Sequence, residues 1–345
     1  MLRLKKRLVA TAGIVALTMA AAACGSSNSG GKGESDGDGS NSDALKVAMV
    51  MPGVINDLSF NQMAYQGAKQ LDDEGAISFA YTESVPEDAA SLNRVVSQYI
   101  DDGYMLILAN SFGYKDAIFA LAKENPDVAF AWAGGIGETA DNVADYEQPV
   151  YIPAYLAGIL AAGFTESKLL GGVGAFEIPS CVAQMKGFLL GAQTVDPSIT
   201  ESITYSGSWD DVKKNQEAAQ ALSNSGADVF VPCGEGPALG SIAVARADDK
   251  FAIGNIGDMS SLAPDNVYAS EILNFYPLWK AMVEDVSSGS FNPGKYYPVS
   301  FELGSLDVAV NDELTSQVPP EILEKFQTAL EQVKSGELEV PYVEK

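Results

Sequence analysis

The sequence predicts an α/β protein of two lobes, each a doubly wound parallel sheet, joined by a hinge and facing each other across a central cleft. Three observations carry this expectation. Short β-rich apolar runs alternate with helical patterns through most of the chain, which is how βαβ units read. The alternation falls into two series, the second opening near Tyr151. The body of the chain, about Ala44 to Lys345, is long enough for two domains of ordinary size.

In the first series, ALKVAMVMP (44–52) reads as a strand. Asn61 to Asp73 reads as a helix, with Met63, Ala64, Gly67, Ala68 and Leu71 on one face. AISFAYTES (76–84) is the next strand, and Pro86-Glu87-Asp88 opens a helix running to Ile100. YMLILAN (104–110), a helix from Tyr114 to Glu124 and VAFAWAG (128–134) complete the series.

The second series starts with a small-residue helix, Ile152 to Phe164. LLGGVGAF (169–176), SITYSGSW (202–209), ADVFVPCG (227–234), FAIGNIG (251–257) and VYASEIL (267–273) read as strands. Helices over 180–195, 212–225, 237–247 and 277–287 separate or follow them. The chain is expected to cross between lobes near Tyr151 and again near Leu273. The first lobe is then 44–150, completed by about 274–300, and the second is 151–273, with 301–345 assigned to neither.

The N-terminus has its own logic. Arg3, Lys5, Lys6 and Arg7 precede an apolar run that ends in Ala21-Ala22-Ala23. A basic start, a short apolar stretch and small residues make a secretory signal peptide, here 1–23. Cys24 follows at once, and the junction resembles a bacterial lipobox, although Ala21 stands where lipoboxes more often have Leu. The resemblance implies acylation of Cys24 and a lipid-anchored protein on the extracytoplasmic side of the cell membrane. From Gly25 to Asp43 there is no apolar residue, so 24–43 is expected to be a disordered tether.

Composition excludes several functions. The formal charge of −25 argues against nucleic acid as a partner. The chain has no histidine, so no Ser-His-Asp or Cys-His arrangement can be built. No metal site and no cofactor are expected. Cys181 and Cys233 could pair in an oxidising compartment, and two small buried thiols is the alternative slightly favoured here.

In open α/β sheets, ligands sit beyond the C-terminal ends of the strands. The first such loop carries Asn56, Asp57, Phe60 and Asn61. Asp57 doubles as a natural helix cap, and Phe60 serves equally as a plate for a flat ligand or as local core. Later strand ends offer Phe112, Trp132, Phe176, Glu177, Trp209, Glu235 and Asp258. Trp132 is read first as a buried strand residue and second as a site candidate. CGEGPALG (233–240) lacks the dinucleotide spacing and reads as a tight turn with Glu235 at the cleft edge.

INDLSFNQMAYQGA, LILANSFGYKDAI, ENPDVAFAW, YLAGILAAGFTESKLLGGVGAF, MKGFLLGAQTVDPSI, GSWDDVKKNQEAAQALSNSGADVF and IGNIGDM occur in order across 45–301. Together they resemble the basic membrane protein family of ABC-transporter solute-binding lipoproteins, which includes purine nucleoside receptors. The resemblance implies a type I periplasmic-binding-protein fold. It also implies a ligand held between aromatic rings, with carboxylates and amides on its polar edge. The matching positions are Asn56, Asp57, Phe60, Asn61, Phe112 and Asp258. One departure stands out: those receptors carry a ribose-holding acid where this chain reads AWAGGIG (131–137), with no acid before Glu138. A free base is therefore expected to bind at least as well as its nucleoside. Trp132, Phe176, Glu177 and Trp209 become candidates alongside.

The expected function is capture of a purine-type nucleobase or nucleoside and its delivery to an ABC permease by a monomeric, non-enzymatic receptor. A flavin is a further flat ligand of this kind. A tethered sensor for a signalling receptor is the alternative, and a nucleoside hydrolase is a more distant one.

Overall fold

The computed structural model describes residues 44–146, 148–291 and 295–344. The expected signal peptide, Cys24 and the whole of the tether lie outside them. The first series forms β1 (Leu45–Val50), α1 (Phe60–Asp73), β2 (Ile77–Thr82), α2 (Ala89–Asp101), β3 (Leu106–Ala109), α3 (Lys115–Glu124), β4 (Ala129–Trp132) and β5 (Val143–Tyr146). The second forms α4 (Tyr151–Phe164), β6 (Leu169–Gly174), α5 (Pro179–Gln193), β7 (Thr200–Tyr205), α6 (Val212–Asn224), β8 (Val229–Cys233), α7 (Glu235–Asp248), β9 (Phe251–Gly254) and β10 (Val267–Leu273). After these come α8 (Tyr276–Ser287), β11 (Tyr296–Tyr297), β12 (Leu306–Val310), α9 (Asp312–Thr315) and α10 (Pro320–Lys334).

Two six-stranded sheets result, in the orders β11-β5-β4-β3-β1-β2 and β12-β10-β9-β8-β6-β7. Among the described residues every strand–strand pairing is parallel except β10 with β12. Parallel strands are covered on both faces, so they read as continuous apolar runs. β3 and β4 are fully buried for that reason. Residues of α1 and α8 cover one face of the first sheet, and those of α2 and α3 the other. Residues of α4, α5 and α10 cover one face of the second sheet, with α6 and α7 opposite.

Helix α4 is apolar nearly all round, which marks a helix buried on most sides. It meets α5 backbone to backbone. A Cβ on Gly158 would lie 2.0 Å from Phe188 O, and one on Gly191 would lie 1.9 Å from Tyr155 O. Only glycine permits that approach.

Among the described residues the chain crosses between sheets three times. β5 leads to α4, β10 leads to α8, and a third crossing joins β11 to β12. The third was not anticipated. β11 has two residues and offers no periodicity to read, and β12 returns antiparallel at the sheet edge. β5 was also missed: it is four residues long, and its buried Asp145 interrupts the apolar run.

Candidate ligand cleft

A cavity of about 520 Å³ lies between the C-terminal ends of the two sheets. That volume falls in the range usual for small-molecule sites. From the first sheet it takes residues following β1 (Phe60, Asn61), β3 (Asn110, Ser111, Phe112) and β5 (Gln148, Val150). From the second it takes Phe176 and Ile178 after β6, Ser208 to Asp210 after β7, Glu235 after β8, and Asn255 and Ile256 after β9. The strand–helix alternation thus delivers loops from several strands of each sheet to a common opening.

Four aromatic rings line it: Phe60 and Phe112 from one lobe, Phe176 and Trp209 from the other. Phe176 and Trp209 contact each other with centroids 5.3 Å apart, and Phe60 packs edge-on against Phe275 at 5.4 Å. Among the described lining residues the charged groups are Glu87, Asp210 and Glu235, with no lysine or arginine.

A chain of hydrogen bonds runs from the first lobe's core to the second lobe. Buried Tyr146 donates to Asn110 Oδ1 at 3.0 Å, and Asn110 Nδ2 donates to Asn61 Oδ1 at 3.4 Å. Asn61 Nδ2 then donates to Asp57 Oδ2 at 2.8 Å and to Glu235 Oε2 at 3.1 Å. Gly53 makes room for this amide, since a Cβ there would fall 2.3 Å from Asn61 Nδ2. Nearby, Ser59 Oγ donates across the lobes to Asn255 O at 2.8 Å. Burial first, and then the neighbouring Asp57 carboxylate, push Glu235 up to about 9. At neutral pH Glu235 is therefore protonated, and two carboxyl groups can adjoin across the lobes without mutual repulsion.

Cys181, at the start of α5, and Cys233, at the end of β8, form a disulfide with Cα atoms 5.5 Å apart. The reading of two buried thiols is corrected. The first turn of α5 lies over the end of β8, a contact that separation in sequence does not reveal. Both cysteines line the cavity, so the bond ties two of its walls together. A 52-residue separation bridged in this way corresponds to about 4 kcal/mol in the chain-entropy account.

Of the residues singled out in the sequence, the cavity gathers Phe60, Asn61, Phe112, Phe176, Trp209 and Glu235. Five lie elsewhere. Asn56 is an exposed turn residue. Asp57 is buried behind Asn61, and its carboxylate is occupied by the backbone N–H groups of Ser59, Asn61 and Gln62 as well as the Asn61 amide. It shapes the start of α1 rather than facing the cavity. Trp132 is fully buried, donates to Phe112 O at 3.2 Å and packs against Phe112 and Phe119. It supports a lining residue from behind. Glu177 is exposed beside Phe176 and outside the lining. Asp258 is exposed and accepts from Ser260 N at 2.9 Å, so it caps a short turn. The strand ends at Gly254, earlier than expected, and Asn255 and Ile256 take the place in the cavity given to Asp258.

Sequence reasoning missed Asn110, Gln148, Gln184 and Asn255. Asn110 and Asn255 directly follow strands, so the strand-end rule could have found them. Gln184 sits more than one turn inside α5, and nothing local marks it.

Two α/β lobes with an aromatic-lined cleft at their strand ends define a solute-binding protein of the periplasmic type. A family model described as "ABC transporter substrate-binding protein PnrA-like" matches residues 44–342, and the chain belongs to this Bmp family. Its relatives differ in what their names say they bind. A Haloferax volcanii protein provisionally named an ABC transporter glucose-binding protein, TsgA13, is 30% identical over 86% of this chain and 74% of its own. A Brucella abortus purine-binding protein is 28% identical over 86% and 83%. A Lactococcus lactis nucleoside-binding protein, BmpA, is 27% identical over 79% and 84%. Among solved structures, an ABC transporter solute-binding protein from Conexibacter woesei superposes with a TM-score of 0.66 at 25% identity, covering 87% of this chain and 99% of that one. One from Aeropyrum pernix gives 0.73 at 20% identity, covering 87% and 94%, and supports the fold alone.

Proposed function

We propose that this protein is the lipid-anchored receptor of an ABC importer, capturing an uncharged purine-type nucleobase or nucleoside and handing it to a membrane permease without chemical change. The observation that carries the ligand class is the cavity wall: four aromatic rings from both lobes, amides and hydroxyls between them, and no basic residue among those described. Aromatic faces stack on bases at about 1–3 kcal/mol each. The amides and carboxyls accept from ring and exocyclic N–H groups. The wall also speaks on charge, because a phosphate brought into a cavity bearing only acids would be buried without a counter-charge. The names of the purine- and nucleoside-binding relatives point the same way.

Export and anchoring rest on the signal-peptide pattern ending at Ala23 and on Cys24. The Cys181–Cys233 disulfide agrees with an oxidising compartment. A hexose is the second reading, favoured by the name of the Haloferax relative and by the ability of the same rings to face a sugar.

Calorimetric titration with adenine, guanine, adenosine, guanosine, AMP and glucose tests the proposal. One saturable site is expected for at least one base or nucleoside, with the free base at least as tight as its nucleoside. AMP is expected to bind at least about a hundredfold more weakly than adenosine, on the order of 3 kcal/mol. No ribose or deaminated product should appear. Preference for glucose, tight binding of AMP, or turnover of a nucleoside would each contradict it.

A further inference from the structure

Behind the second lobe's wall of the cavity, β8 and β9 part. They pair only at Val229 and Phe230. The wedge beyond is filled by three buried polar side chains: Gln184 of α5, Asn255 after β9 and Glu271 of β10. Glu271 Oε2 accepts from Gln184 Nε2 at 2.5 Å and from Asn255 Nδ2 at 3.2 Å. Gln184 Nε2 also donates to Pro232 O at 2.8 Å.

Both amide hydrogens of Gln184 are therefore committed to acceptors that the fold supplies. Turning the amide over would set its oxygen against the Pro232 carbonyl, which can only accept, so the Pro232 contact fixes the orientation. That leaves Oε1, which has no hydrogen-bond partner although Gln184 is fully buried by the protein and lines the cavity. A buried acceptor without a partner is unfavourable, and a ligand hydrogen would remove that penalty.

We infer that Gln184 is a specificity-determining residue of the cleft: its Oε1, aimed by Pro232 and Glu271, accepts a hydrogen from an N–H or O–H group of the ligand. The inference deepens the purine reading and rests on it. Glu271 acts through Gln184 and is a positioning residue. Desolvation pushes its carboxyl up to about 8, against the two amide donors that lower it, so at neutral pH it is largely uncharged. An uncharged carboxyl can be buried there without a cation.

The test has a ligand side and a protein side. On the wild type, the tightest-binding base from adenine and guanine is compared with analogues in which each N–H donor is replaced in turn by an N-methyl or C–H group. One replacement is expected to lower affinity at least tenfold, because it leaves Oε1 unpaired. In Gln184→Met, which keeps the length of the side chain and removes the amide, the parent base should lose at least tenfold and the discrimination at that one position should collapse to within threefold. Glu271→Gln, which preserves an acceptor for both amides, should keep the discrimination, and Glu271→Leu should reduce it. A Gln184→Met protein that still discriminates overturns the assignment. If that variant does not fold, a wild type indifferent to every donor replacement overturns it equally. Failure of every base and nucleoside to bind the wild type overturns the purine reading and this assignment together, and is seen before any variant is made.

Discussion

Asp145→Ala is expected to cost about 4 kcal/mol or more of stability and to leave little folded protein. Asp145 is fully buried on β5. Its Oδ1 accepts from the backbone N–H groups of Gly134 and Gly135 at 2.9 and 2.7 Å. Its Oδ2 accepts from Ile136, Gly137 and Glu138 at 2.9, 2.7 and 3.2 Å. One carboxylate therefore organises the whole loop after β4. Removing it strands several N–H groups at about 1 kcal/mol or more apiece. Asp145→Asn should lose nearly as much, because its NH2 group would face N–H donors. Urea unfolding monitored by circular dichroism reads the effect. A variant within about 1 kcal/mol of the parent would show that water replaces the carboxylate without penalty.

Glu235→Gln is expected to become increasingly more stable than the parent as pH rises. The Glu235 carboxyl, ordinarily near 4.5, is held at about 9 in the folded protein. A raised carboxyl favours the fold below its unfolded pKa, and that advantage is lost as pH climbs toward the folded one. At about 1.36 kcal/mol per pH unit, the full span from 4.5 to about 9 sets a ceiling of roughly 6 kcal/mol, and solvent access will reduce it. Glutamine can accept from Asn61 and donate to Asp57 with no proton to lose. The variant-minus-parent difference should therefore grow by about 2 kcal/mol between pH 5 and pH 8. Taking the difference cancels other titrations, including that of Glu271. A constant offset over that interval would mean that the Glu235 carboxyl is not raised in the folded protein.

These two residues also show what the sequence could and could not reveal. The alternation of strand and helix was legible because buried parallel strands must be apolar runs, and longer segments of helical spacing separate them. The cleft followed from topology, and with it Phe60, Phe112, Phe176, Trp209 and Glu235 at strand ends. Asp145 was illegible because its partners are backbone groups of a loop seven to eleven residues earlier, a pairing no spacing rule encodes. AWAGGIG was noted for lacking an acid. The structure shows that loop wrapped around an acid supplied by the next strand. Asp258 misled because a strand end was placed three residues late, which moved Asn255 and Ile256 out of view. Gln184 and the Cys181–Cys233 pair depend on how α5 lies across β8, a tertiary contact that local pattern does not contain.

The central claim concerns what the cleft holds, and identifying the ligand retained by the protein tests it most directly. Freshly purified protein should be denatured and the released small molecules identified by mass spectrometry and ultraviolet absorbance against the protein concentration. The account predicts up to one equivalent of an uncharged purine base or nucleoside, with its ring absorbance. Release of a hexose, a phosphorylated nucleotide or an amino acid in that amount would contradict it.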